Sequence, residues 1–179
     1  RNQRSHFFAS GNFKWDKTWN WGFRGAISSD DTYLRKYNIN SSDTLQNNLF
    51  IEGINGKNYA KLNTYFFQGL RIEDDPGETP IIFPLIEHRY ISEPNDSGLL
   101  FKMNSNFLHL NRKQGIDSTR LSFRGGWHLP STSKIGDMLT LSLEFKADSY
   151  ITNDIPSDND TSIVNNNEFV YRLIPQLSG

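Results

Sequence analysis

The chain has 179 residues, of which 36% are hydrophobic, 13% aromatic and 22% charged, with a formal net charge of -1 and no cysteine. The near-neutral balance provides no basic field for nucleic acid, and the missing thiols exclude disulfide frameworks, thiolate metal sites and cysteine nucleophiles. No apolar run approaches the roughly 18 residues of a membrane helix, whereas a β-barrel crosses a bilayer with only every second residue turned to lipid. The opening residues Arg1-Asn2-Gln3-Arg4 are polar and close to a strand, with no signal peptide, as expected of a mature form or an internal piece of an exported protein.

Period two dominates from end to end, and helical spacing is hard to find. Strands are expected at about 5–15, 19–28, 44–53, 58–70, 81–91, 99–111, 119–129, 138–151 and 168–178. In the second, Trp19, Trp21, Phe23, Gly25 and Ile27 alternate with Asn20, Gly22, Arg24, Ala26 and Ser28. The seventh sets Leu121, Phe123, Gly125, Trp127 and Leu129 against Arg120, Ser122, Arg124, Gly126 and His128. The eighth sets Leu139, Leu141, Leu143, Phe145 and Ala147 against Thr140, Ser142, Glu144, Lys146 and Asp148. Side chains alternate across a strand, so each segment has an apolar face and a polar one. The apolar faces carry no Asp, Glu, Lys or Arg; Glu52, Lys61, Lys102, Asn104 and Asn106 fall with the polar set.

Turn chemistry provides an independent register. Asp16-Lys17-Thr18 pairs Trp15 with Trp19, Phe13 with Trp21 and Gly11 with Phe23. Asn55-Gly56, read as a two-residue hairpin loop, pairs Ile51 with Ala60, Leu49 with Leu62 and Leu45 with Phe66. Both registers join apolar face to apolar face. Links after strands one, three, five and seven are short, while Ser29–Asp43, Arg71–Pro80 and Thr152–Asn167 are longer and polar. Arg112–Ser118 is intermediate. Tight turns at one end and long loops at the other are the arrangement of bacterial outer-membrane barrels.

Strands of about ten residues suit a tilted crossing of a bilayer better than a soluble sheet. The expected fold is therefore all-β, an antiparallel up-and-down meander of about nine strands forming a section of a large transmembrane β-barrel. Trp15 and Trp19 are candidates for an interfacial aromatic girdle, or form a cross-strand pair in an ordinary sheet. Pro84 interrupts strand five and implies an edge, a bulge or weakened pairing.

No catalytic or metal constellation emerges. His6, His88, His109 and His128 fall on different strands without ligand spacing. Ser29-Asp30-Asp31 and Glu73-Asp74-Asp75-Pro76-Gly77 could hold a divalent cation with anionic sugars, but read first as solvated, turn-forming loop tips. Asp158-Asn159-Asp160 and Asn165-Asn166-Asn167 read as flexible loop. No cofactor is expected.

Asn20-Trp21-Gly22-Phe23, the run from Ser29, Asp30, Asp31, Thr32, Tyr33, Leu34 and Arg35 to Tyr37, and Tyr65–Arg71 together resemble the lipopolysaccharide-assembly family LptD, especially its alphaproteobacterial forms. Pro84-Leu85, Tyr90–Pro94, Arg120–Trp127 and Arg172–Gln176 follow in the same order, so the resemblance covers most of the chain. Residues 29–35 are its most specific part. The resemblance implies a non-enzymatic translocon of the Gram-negative outer membrane. In that family a periplasmic jellyroll precedes a very large barrel, which inserts lipopolysaccharide into the outer leaflet with an LptE-like lipoprotein. Its implied partners are lipopolysaccharide, outer-membrane lipids, that lipoprotein and the periplasmic Lpt bridge, with no nucleic acid. Residues 1–179 would be a partial barrel domain without the jellyroll. The family's disulfide cysteines have no counterpart, and no gate or substrate residue is carried over. A porin or receptor wall would share the alternation but not residues 29–37. A soluble β-sandwich binding module would require a water-soluble monomer.

Overall fold

A computed structural model describes residues 4–157 and 160–178, with side chains described outside 154–165 and 176–178. The strands are β1 His6–Lys14, β2 Trp19–Ser28, β3 Thr44–Asn55, β4 Asn58–Gly69, β5 Ile81–Ile91, β6 Leu100–Asn111, β7 Asp117–Thr132, β8 Met138–Ser157 and β9 Asp160–Ser178. They form one antiparallel nine-stranded sheet in chain order. Among the described residues β1 and β9 are not paired with each other, and each strand makes its main contacts with its sequence neighbours. This is a single layer.

Two local devices start the sheet. Asp16 Oδ1 accepts the amide hydrogens of Thr18 and Trp19, each at 2.7 Å, closing the first turn. The resulting register pairs Phe13 with Trp21 and Gly11 with Phe23, as expected. The next hairpin corrects its expectation. Asn55 pairs with Asn58, so the loop is Gly56-Lys57, and Ile51 meets Leu62, Leu49 meets Thr64 and Leu45 meets Gln68. Positive φ falls on Gly56 (57°), at the first loop position, which shifts the turn by one residue and the register by two. A two-residue slip preserves the faces.

One apolar row then crosses the sheet: Phe13, Trp21, Ile51, Leu62, Ile86, Phe107 and Leu121 are successive cross-strand partners. Among the described residues no second sheet covers this row. Leu141 is 58% exposed, Trp127 52% and Leu173 65%, while the buried apolar cluster among the described residues is Leu34, Leu45 and Leu70. A soluble sandwich buries this face against a second sheet. Here it lies open.

Pro84 proves to be at a bulge, since register shifts on both sides of it, between Asn63 and Tyr65 and between Ile82 and Leu85. A second correction concerns residues 152–167. In place of the long polar loop, β8 continues to Ser157 and β9 starts at Asp160, with Ile155 opposite Val164 and Pro156 opposite Ile163. The β-branched residues Ile151, Thr152, Ile155, Thr161, Ile163 and Val164 favour extension despite their polar neighbours. Asn166 and Asn167 are therefore strand residues, and Asp158 and Asn159 lie outside the described residues.

Candidate functional site

The polar face is concave. A cleft of about 390 Å³ spans β4 to β8, lined by Tyr59, Glu87, Arg89, Asn106, Arg124 and Lys146 among others. Charges there are partly paired: Lys61 Nζ lies 3.7 Å from Glu52, Arg124 Nε donates to Glu144 at 2.8 Å, and Lys146 Nζ lies 3.0 Å from Asp148. Ser122 Oγ donates to Asp148, and His128 Nε2 is 3.7 Å from Glu144. Lys61 and Arg120 stand over the rings of Phe50 and Tyr150 at 5.0 and 5.3 Å. Such a surface suits a watered passage for a polar, charged cargo.

The long-loop end is organised by the segment after β2. Ser29 exchanges bonds with Ser5, and Asp30 Oδ1 accepts from Thr32 N–H and Oγ–H, each at 2.9 Å. Those bonds hold the Asp30 carboxyl below its usual range, with Arg4 at 3.4 Å assisting. A single helical turn, α1 (Tyr33–Lys36), follows and ends at Asn38 with φ 60°, a left-handed position that asparagine tolerates. The turn drives Leu34, 0% exposed, against Leu45 and Leu70. Asp43 then clamps it by pairing with both Arg35 and Arg71.

Leu34 sits where the wall parts. The β2–β3 ladder stops at Arg24 and Asn48, although each strand continues with its other neighbour. Side-chain amides bridge the gap. Asn47 Oδ1 accepts from Ala26 N–H at 2.6 Å, while Gln68 Oε1 accepts from Ser28 N–H at 3.0 Å and Gln68 Nε2 donates to Ser28 C=O at 2.7 Å. Gln68 thus bonds like a strand backbone.

A family model for LPS transport system D, LptD, matches residues 2–178. The chain belongs to the LptD family. Comparison with individual curated proteins returned no match. LptD proteins serve lipopolysaccharide transport at the Gram-negative outer membrane, and they are transport barrels, not enzymes. The meander with one open apolar face and one concave polar face is the wall such a barrel requires.

The girdle candidates and the family-like loop singled out from the sequence occupy opposite ends of this wall. Trp15 and Trp19 flank the β1–β2 turn at the short-turn end, Trp15 being 71% exposed. Residues 29–35 lead into and form most of α1 at the other end. The acidic stretches are built into turns: Asp75 Oδ1 accepts from Gly77 N–H at 2.7 Å, and Asp74 Oδ2 from Arg71 N–H at 2.9 Å. His6, His88, His109 and His128 stay on four separate strands, and His109 Nδ1 is 2.8 Å from Thr119 Oγ1. The bridging role of Asn47 and Gln68 was not legible from sequence, although Gln68 falls within the family-like run Tyr65–Arg71. Asn47 interrupts the otherwise apolar face of β3, the one sign that it has a polar task.

Proposed function

We propose that this chain forms one section of the wall of a larger closed LptD barrel, with the apolar face toward lipid and the concave polar face lining the path of lipopolysaccharide. The observation that carries this reading is the uncovered apolar row from Phe13 to Leu121, in register and free of charged residues. Water would make that face aggregate; hydrocarbon makes it stable. Strands β1–β6 are 9–12 residues long; rising ~3.4 Å per residue and tilted ~45°, they reach about 25 Å, the height of an outer-membrane apolar band, and β7–β9 extend beyond it.

Trp15 and Trp19 then belong to the aromatic girdle at the short-turn, periplasmic side. The α1 segment with residues 29–35 covers the long-loop, extracellular rim. An LptE-like lipoprotein and the periplasmic Lpt bridge are the partners of this assembly, a reading supported by family membership.

The test is chromosomal replacement in the full-length protein. Leu143→Arg, on the lipid-facing set, costs about 2–4 kcal/mol at the bilayer midplane. It should lower both the folded, heat-modifiable protein in the outer membrane and the lipopolysaccharide reaching the cell surface. Asn106→Arg, on the lumenal set, should assemble normally. Parental assembly and surface lipopolysaccharide in Leu143→Arg would overturn the orientation.

A further inference from the structure

Register places four cations in one row on the concave face. Arg89 of β5 lies opposite Asn104 of β6, Asn104 opposite Arg124 of β7, Arg124 opposite Lys146 of β8, and Lys146 opposite Arg172 of β9. Directly opposed side chains have β-carbons about 4.5–5.5 Å apart, and like charges so placed are destabilising. The adjacent row behaves differently. Glu52, Lys61, Glu87, Asn106, Ser122 and Asp148 are successive partners, and the charged members at its start alternate in sign.

The cationic row is only partly neutralised. Arg124 and Lys146 lean to Glu144 and Asp148, two residues along β8 from Lys146, and keep side-chain exposures of 54% and 47%. Arg89 stacks on Tyr59 at 5.9 Å. Arg172 has no ion pair among the described residues and is exposed. With strands spaced about 4.8 Å apart, five strands spread the row over roughly 19 Å of lumenal wall. A row of opposed cations is an intrinsic cost that an anionic occupant offsets, as rings of Arg and Lys do in anion and phosphate pores.

We propose that Arg89, Arg124, Lys146 and Arg172 form an anion-binding row that holds the phosphorylated saccharide head of lipopolysaccharide during its passage along the wall. This rests on the lumenal orientation proposed above. Arginine at three of the four positions offers a bidentate fork to phosphate oxygens, and the gap at Asn104 leaves room for a phosphate between Arg89 and Arg124.

The experiment uses the full-length protein in proteoliposomes with a photo-crosslinking residue at position 104, supplied with phosphorylated or enzymatically dephosphorylated lipopolysaccharide. Capture should fall on the order of tenfold on dephosphorylation, the scale of one lost charge-assisted hydrogen bond. It should fall equally with phosphorylated ligand in R124Q/K146Q/R172Q and be retained in K146R. Heat-modifiable mobility reports folding, and R172Q alone should unfold at or above the parental temperature because a like-charge opposition is relieved. Equal capture of both ligands, or undiminished capture by the triple variant, would overturn the row while leaving the lumenal path intact. Capture from position 143 with none from 104 would instead overturn the orientation on which it rests.

Discussion

Gly53 lies beneath the indole of Trp19: the two are direct cross-strand partners, and a β-carbon at Gly53 would sit 2.8 Å from Cε3 and Cζ3 of the ring. The bare backbone lets the ring lie flat on the apolar face beside the short turn, an arrangement that also compensates a glycine in a strand. Gly53→Val should push the indole away and cost about 1–3 kcal/mol as overpacking. Thermal unfolding of the detergent-solubilised full-length protein measures it. Trp19→Ala with Gly53→Val should cost less than the sum of the singles; strict additivity would show that the ring does not rest there.

Gln68 replaces a strand's hydrogen bonds with one side chain, so its shape matters less than its two-sided polarity. Gln68→Leu leaves the Ser28 N–H and C=O unmatched and should cost about 1–3 kcal/mol. Hydrogen exchange should quicken at Ser28 and stay unchanged at Gly22, which faces β3 where the two strands pair directly, opposite Phe50. Unchanged protection at Ser28 would show that the amide bridge is not what closes the seam.

Leu34 is the anchor of the α1 plug. Leu34→Ala removes its contact with Leu45 and Leu70 and should cost about 2–5 kcal/mol of local docking. The consequence to measure is protease cleavage within residues 29–43 of intact cells, which should become fast while barrel assembly remains parental. A resistant loop would place its stability elsewhere.

The clamp at Asp43 sets a pH window. The Arg71 hydrogen bond, with the Arg71 and Arg35 charges beside it, holds the Asp43 carboxyl below its usual value. A depressed carboxyl contributes stability that is fully present above its unfolded pKa, near ~3.9, and is lost as pH falls through the lower folded value. Protection of the Ile39 and Leu70 amides, bonded to Leu34 and Asp43 carbonyls at 2.9 Å each, should be flat from about pH 7 to 5 and decline only below about pH 4. A decline between pH 7 and 5 would contradict the clamp.

Faces were legible in the sequence because a period of two is a local property that survives errors in pairing. The first turn was legible too, since Asp16 announces its own bonds to Thr18 and Trp19. The second was misplaced by one residue because Asn55-Gly56 and Gly56-Lys57 both satisfy hairpin chemistry, and only the backbone shows that Gly56 alone takes positive φ. The extension of β8 and β9 was hidden by composition: polar strands beyond an apolar band look like loop. Neither α1, four residues long, nor the Gln68–Ser28 bridge leaves a periodic trace. The row from Arg89 to Arg172 depends on four successive registers and is invisible in any one strand.

The most direct test of the two-faced wall is single-cysteine scanning along β8, from Leu139 to Tyr150, in the full-length protein reconstituted in liposomes; residues 1–179 contain no cysteine, and any cysteine outside them is replaced first. A water-soluble maleimide should label the even positions 140, 144, 146 and 150 and spare the odd positions 139, 141, 143 and 145. A lipid-soluble quencher should report the reverse. Labelling without a period of two, or with the odd positions reached from water, would contradict a barrel wall with Leu141 and Leu143 in hydrocarbon and Glu144 and Lys146 in the lumen.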